Sequence, residues 1–514
     1  PPRSTLFPYT TLFRSGVFSD FSTASSNTLY KAGTGTWTIA ANNTFKGSVT
    51  NEDGILRITK SEAFGNWPKV VENFNSANNC NPHIFLNGAE GDLTIPAVIT
   101  FRTSNARSGA ICNEAGNNTI LGALNLVSGD GDTILNSVSG KLTVAGNVWP
   151  PTDTGRQLRL RGDGDGEISG VIANGATASL PVIREPVGTG TWTLSGSNTY
   201  SGITYALGGT LAVSGPNGFI PGQIQVASNA SLVVINSALT NSPNRLSDSS
   251  SVTLNGGTFD YSHDGGSASY SETAGALIVG TSSNTLAASQ ADESQSSVLT
   301  FASLTRTGNG TLDFVGSGLG VDSRNKVMFT SPPASGLIGL WATYNSTNFA
   351  AYDSVNGVVA ADDSFFTDIP ARGPFAISDD ATLNARITSD GVSGPLALAG
   401  TTTSQIRTLQ QQSGQASEVG MTNQTLLVSE ILIAPGKSGL TLGTEPEEGL
   451  VMPLAANGTL TLFNSSDSTL TLNASVTNNS GNSSVAKFGA GAVVLNGRNR
   501  SEEHTSELQS RLHL

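Results

Sequence analysis

Residues 33–58, "GTGTWTIAANNTFKGSVTNEDGILRI", return without a gap at 188–213 as "GTGTWTLSGSNTYSGITYALGGTLAV", at a constant offset of 155 positions. A chain that repeats itself must bury the same faces in the same way each time, so this repeat constrains the fold more than any bulk property. Gly33 to Thr38 recur unchanged as Gly188 to Thr193, with Gly35 as Gly190 and Trp37 as Trp192. Asn43-Thr44 recurs as Asn198-Thr199, Gly47 as Gly202, Gly54 as Gly209 and Leu56 as Leu211, while Phe45 is exchanged for Tyr200. A third copy opens at "GAGAVVLNGRN", where Gly489, Gly491, Leu495, Gly497 and Asn499 fall on Gly188, Gly190, Leu194, Gly196 and Asn198. It breaks off at Arg500, where Thr and an aromatic are due.

Each unit reads as strand, turn, strand. In "TWTLSG" the period-2 alternation puts Trp192 and Leu194 on one face and Thr191 and Thr193 on the other, and the Gly and Asn residues supply the positive φ of a turn. Strands of about five residues, bounded by Gly, Asn, Ser or Asp, continue from about residue 28 to 499. Only Ser404 to Ala434 is ambiguous between strand and helix. A single sandwich or barrel rarely exceeds ~250 residues, and a propeller repeats at a fixed ~40 to 50 residue spacing. A parallel β-solenoid tolerates uneven spacing, and stacked Asn and Thr ladders suit it. The fold class expected is all-β, a parallel β-solenoid with coils of roughly 20 to 25 residues, about 20 of them.

Composition narrows the partners. Charged residues make up 13% of the 514, against an ordinary ~25%, yet 37% apolar content sets the chain apart from disordered sequences. A formal net charge of −13 and a pI near 4.8 argue against nucleic acid, which calls for clustered Lys and Arg. No run approaches the ~18 to 20 apolar residues of a spanning helix, so no membrane insertion is expected of this segment. Two cysteines, Cys80 and Cys112, exclude a disulfide-dense scaffold. They form either one bridge in an oxidising compartment or two small buried residues.

The motif "GTGTWTLSGSNTYSG…GGTLAV" resembles the autotransporter-associated β-strand repeat of Gram-negative bacteria. The stretch Leu299 to Ala360 is similar to inter-repeat sequence in large proteins of the same family. The resemblance covers about 16–499 and implies a right-handed parallel β-helix (pectin-lyase-like) passenger, secreted or displayed on the outer membrane. It also implies an N-terminal export signal and a C-terminal membrane barrel in the complete protein. At the two ends, "TLFPYTTLFRS" (5–15) and "RSEEHTSELQS" (500–510) resemble translated sequencing-library adapters over eleven codons each. Residues 1–15 and 500–514 are therefore expected to be artefact flanking a fragment at 16–499. Removing their four Arg and three Glu from totals of 26 and 39 leaves 22 basic and 36 acidic residues, so the acidic balance stands.

Candidate chemistry is thin. "RGDGDGE" presents Asp163, Asp165 and Glu167 at alternate positions, and "SGDGDT" presents Asp130 and Asp132; both suggest Ca²⁺, but the Gly that a Ca²⁺ loop of the EF-hand kind wants at its sixth position is Ile168 in the first. Arg161-Gly162-Asp163 matches a cell-attachment tripeptide that chance readily supplies in such a composition. His263 beside Asp264 suggests a triad fragment, yet strand neighbours face opposite ways and a polar turn is the better reading. The doublets Asp362-Asp363 and Asp379-Asp380 are better read as solvated turns than as glycosidase carboxylates. Trp37 and Trp192, equivalent in two copies and sharing a face with Ile or Leu, read as core packing rather than sugar platforms. No cofactor is expected.

Two functions of different class remain. One is a non-enzymatic extracellular rod for adhesion or surface architecture, with an extracellular glycan or a host or neighbouring cell surface as partner. The alternative is a polysaccharide-active β-helix enzyme, lyase or hydrolase, or a glycan-binding module. The enzyme requires one lateral groove where charged groups from successive coils meet, and so few basic residues, nowhere concentrated, favour the rod.

Overall fold

In a computed structural model, the residues described are 16–20, 22, 26–73, 81–103, 109–127, 132–152, 155–264, 268–292, 294–322, 324–334 and 336–498; the 1–15 and 500–514 segments lie outside them. The described residues are almost wholly β-strand and turn, with a single 3₁₀ turn at Asp363–Phe365. The ambiguous 404–434 segment holds two nine-residue strands, Thr403–Gln411 and Thr425–Ile433. The chain is a parallel β-solenoid that divides into two compact units: Pro1–Gly310 with Ser317–Pro332, and Thr311–Gly316 with Pro333–Leu514.

In the first unit, twelve parallel strands stack one upon the next from Thr36–Ile39 to Ser296–Arg306. Paired residues lie 19 to 28 positions apart, from Thr36↔Ile55 at one extreme to Ile55↔His83 at the other, close to the spacing expected. Two further sheets share these coils: six strands from Leu29–Lys31 to Val148–Trp149, and nine from Thr94–Ile95 to Ser283–Ala288. Alternation sends every second residue into the coil, so one inward column of the twelve-strand stack begins Leu56, Ile84, Ile111, Leu135, Leu160.

The repeat encodes one coil of 19 residues, its first strand stacking directly on its last: Trp37↔Leu56 in one copy and Trp192↔Leu211 in the other. Its asparagine brackets three coils. Asn43 Oδ1 accepts the N–H of Phe18 at 2.9 Å, and its Nδ2 donates to Ala63 O at 2.5 Å. Asn198 does the same with Ile172 N–H and Phe219 O, both at 2.9 Å. The glycines of the repeat lie at corners where coils nearly touch. A Cβ on Gly190 would sit 2.1 Å from Gly164 O, and one on Gly196 2.2 Å from Gly170 O. The same contacts recur beneath the third copy, where a Cβ on Gly491 would meet Ser466 O at 2.2 Å and one on Gly497 would meet Ala474 O at 2.5 Å.

Polar residues also face inward, where each needs a partner. Asn51 Nδ2 donates to Asn73 Oδ1 at 2.9 Å, an asparagine ladder between adjacent coils. Lys31 points under the first repeat and donates to Gly33 O at 2.8 Å and to Asp53 O. Lys69 donates to Phe45 O, with Nζ 3.7 Å from the Phe45 ring centroid. Fully buried Arg184 donates to Glu185 O (2.6 Å), Gly188 O (2.8 Å) and Gly190 O (2.9 Å).

Burial brings Lys31 and Lys69 down from an ordinary 10.5 to about 8, with Asp53 and Asp20 pulling the other way. A lysine with a depressed folded value binds fewer protons folded than unfolded above that value, so stability rises with pH through the window. The urea midpoint of the wild type is therefore expected to climb between about pH 8 and 9.5, and that of a Lys31→Met/Lys69→Met double variant to stay flatter. A wild-type midpoint that falls over this range, or an equal slope in the variant, contradicts the assignment.

The second unit stacks Asp380–Ser389, Thr403–Gln411 and Thr425–Ile433 in parallel, then Leu450–Met452 and Thr459–Asn464 on the two halves of the last. Opposite them a four-stranded sheet runs from Ser417–Val419 to Val493–Leu495, and Ile387, Leu409, Ile431, Leu442 and Leu472 fill the space between.

Candidate functional site

The carboxylates nominated for Ca²⁺ are engaged by neighbouring coils. Asp163 Oδ1 accepts the N–H of Thr189 at 3.0 Å, and Asp165 Oδ1 that of Thr191 at 2.9 Å. Glu167 accepts from Lys141 Nζ and Ser195 Oγ, each at 2.6 Å; burial pushes its carboxyl up, but these two donors outweigh it and hold the group below its ordinary range. Gly166 between them is the seat of Trp192: a Cβ there would lie 2.3 Å from the indole. Asp132 pairs with Arg159 Nε at 2.7 Å, and Asp130 lies outside the described residues. Among the described residues no three His, Cys, Asp or Glu side chains group to hold a metal ion. In the attachment tripeptide, Arg161 turns to Glu185 at 3.4 Å while Asp163 is held by Thr189. Cys112 is buried, which pushes its thiol up to about 12; Cys80 lies outside the described residues.

His263 ends the strand Thr258–His263, its ring stacked on Tyr270 (centroids 4.3 Å apart) and edge-on to Tyr261 (4.4 Å). Asp264 turns instead to the Tyr270 hydroxyl, which donates to it at 2.6 Å. The nucleophile-type partner is one the sequence reading did not pair: Ser297 Oγ, one coil further on, lies 2.9 Å from His263 Nε2. Burial brings this histidine down to about 4, and Ser297 is fully buried, so no substrate carbonyl reaches its hydroxyl. The pair is a structural hydrogen bond. The aspartate doublets also split: Asp362 caps the 3₁₀ turn at Ser364 N–H (2.8 Å), Asp363 faces Arg386, Asp379 accepts from Gln405 N–H (2.8 Å) and Asp380 from Thr382.

The second unit breaks the monotony of stacked coils. Ala342–Tyr344, Asn348–Asp353 and Gly357–Ala360 pair antiparallel, joined by turns with φ of 50° and 53° at Asn345 and Ser346 and 76° at Gly357. These tight connections can only reverse the chain, which is why the pairing departs from the parallel rule. The hairpin lies against an outward row of the main sheet, in which register stacks Asp368, Arg386, Gln410, Leu432, Phe463 and Phe488. Its apolar end is covered: Phe349, Ala351 and Ala361 pack with Leu432, Ala434, Phe463 and Phe488 in a cluster separate from the solenoid core.

The polar end of the row borders an open cleft of about 420 Å³, lined by Thr347, Asn348, Ala360, Arg386, Thr388 and Gln412. Arg386 is fixed from below. Its Nε and Nη2 grip Asp368 at 2.7 and 3.1 Å, Nη1 reaches Asp363 at 2.7 Å, and the Phe366 ring lies 4.7 Å from Cζ. Asp368 first, then Asp363, holds its guanidinium above the ordinary value. Gln410 and Gln412 both donate to Thr347 O, pinning the hairpin turn to the sheet. The wall that results carries hydroxyls, amides and a neutralised guanidinium.

Residues 29–58 and 187–213 match a family model described as passenger-associated-transport-repeat. The repeat is thus similar to one found in transported passenger regions, and here it is built into a parallel β-solenoid. Over 473 residues the chain is 27% identical to the adhesin BmaC autotransporter of Brucella suis biovar 1 (strain 1330), an alignment that covers 91% of this chain and 11% of that protein. The chain thus spans about a ninth of the length of this curated relative. No solved structure matches it. Among the described residues no helix is long and apolar enough to cross a membrane.

Proposed function

We propose that this chain is a segment of an autotransporter-like passenger whose stacked coils act as a non-enzymatic extracellular scaffold for adhesion or surface architecture. The observation that carries it is the coincidence of a repeat-built parallel solenoid with similarity to an adhesin over 91% of the chain. Both similarities support a cell-surface or extracellular location. The fate of the nominated groups fits a scaffold: Asp163, Asp165 and Glu167 are used for coil-to-coil bonding, and Ser297 is shut away from solvent. The full chain, immobilised on beads, is expected to retain cultured epithelial cells or bacteria above uncoated beads and to release no reducing ends or unsaturated products from pectin, alginate or xylan. Polysaccharide turnover would overturn the non-enzymatic reading, and retention equal to that of bare beads would overturn the adhesive one.

A further inference from the structure

We propose that the cleft between the hairpin and the main sheet of the second unit is a binding site for a neutral saccharide. The inference deepens the adhesive reading and rests on it, since it names what one face of the scaffold would hold.

The argument begins with charge. Arg386 is the cleft's cation, and Asp363 and Asp368 both hold it, so the group of three carries a net negative charge and does not attract a phosphate or carboxylate. Apolar ligands are disfavoured as well, because of the six lining side chains Ala360 alone lacks a polar atom. What remains is two hydroxyls and two carboxamides. Thr347 Oγ1 donates to Tyr344 O and is left to accept, and the Thr388 hydroxyl can do both. Asn348 and Gln412 spend one N–H each on Ala361 O and Thr347 O and keep a second N–H and acceptor capacity. The hydroxyls of a sugar make the same two-way demand. Three of the five guanidinium N–H donors of Arg386 are spent on aspartate, in a geometry that fixes the plane of the group against the wall.

Size and rigidity agree with this reading. A volume of about 420 Å³ lies at the lower end of the ~300 to 1,000 Å³ of small-molecule sites, suited to a mono- or disaccharide and too small for a folded polypeptide. The wall is preformed, because the apolar cluster around Phe349 and the two glutamine bonds to Thr347 fix the hairpin before any ligand arrives. The location is also the one place in the second unit where a lateral face of the solenoid is interrupted by antiparallel strands among those described.

Saturation-transfer NMR on the full chain with lactose, cellobiose and N-acetyllactosamine is the test. Transfer to at least one of the three is expected, together with its loss in Ala360→Trp, which fills the cleft from an exposed position on the hairpin edge. Thr388→Ala, an exposed change that removes one hydroxyl, is expected to weaken binding about three- to tenfold, the worth of one hydrogen bond. Transfer to none of the three sugars, or undiminished transfer in Ala360→Trp with Thr388→Ala equal to wild type, overturns the proposal. Sugar binding that persists while the beads retain no cells overturns the adhesive reading and upholds this one, and cell retention that survives in Ala360→Trp after sugar transfer is lost likewise upholds the sugar site and places adhesion elsewhere on the scaffold.

Discussion

Trp192→Ala is expected to destabilise the first unit by about 3–5 kcal/mol, and Trp37→Ala by roughly half as much, although the two residues occupy the same place in the repeat. Trp192 is fully buried, stacked on Leu211 in one direction and on Gly166 in the other, with its indole N–H donating to Arg161 O at 3.1 Å. Removing it empties a space that Gly166 cannot fill, so the lost burial is compounded by a cavity. Trp37 is only half-buried; it pairs with Leu56 and meets Phe18 edge-on at 6.5 Å. Urea denaturation followed by far-ultraviolet circular dichroism measures both variants. Equal losses would mean that the repeat motif, not its depth in the stack, sets the energy. Gly166→Leu supplies an internal control: it should be severely destabilising beside Trp192, where a Cβ lies 2.3 Å from the ring, and much milder in Trp192→Ala.

The inward placement of Trp192 was legible because alternation is a local property: a strand of period 2 announces its faces within four residues. Corner glycines were legible as turns, though not as the near-contacts they are, since a carbonyl in the coil below is what forbids a side chain at Gly190. Sequence spacing misleads for Asp163, Asp165 and Glu167. Alternate acidic residues look like a converging ligand set, but on a strand in a solenoid the partners are the amides and side chains of other coils about 26 residues away. The Ser297–His263 bond is hidden for the same reason, its members being 34 positions apart.

The hairpin left a weaker trace. Asn356-Gly357 between apolar runs is a hairpin signal, and it stands in the stretch from Leu299 to Ala360 that reads only as similar to inter-repeat sequence. What the trace does not reveal is where the hairpin lies. That depends on Leu432, Phe463 and Phe488, outward-facing apolar residues that look like ordinary strand positions until register stacks them into one row. The cleft is thus legible only after the coils are assembled, because its lining comes from segments as far apart as Thr347 and Gln412.

Arg184 is the position at which pattern reading and structure part furthest, and replacing it should be among the costliest changes in the molecule. It occupies an inward site in the column that continues from Leu135 and Leu160 to Ala206 and Val226, where alternation alone would call for an aliphatic residue. Its guanidinium is surrounded by the carbonyls of Glu185, Gly188 and Gly190, so it ties down the Gly-Thr-Gly turn of the second repeat from inside. In the first repeat Lys31, from a position that does not align with Arg184, donates to Gly33 O, the counterpart of Gly188 O. Two copies of one turn are therefore held by buried cations from different places in the sequence. Arg184→Met, which keeps the bulk and leaves the carbonyls without a donor, is expected to lose about 3–5 kcal/mol. Arg184→Lys should lose about half of that, because one ammonium can serve such a turn, as Lys31 does, but cannot reach three oxygens in the plane of a guanidinium. Urea midpoints read the two variants, and amide hydrogen exchange at Gly190 and Thr191 reports whether the turn itself has loosened. A methionine variant as stable as the wild type would mean that water satisfies those carbonyls once the cation is gone, and the turn would then be held by its glycines alone.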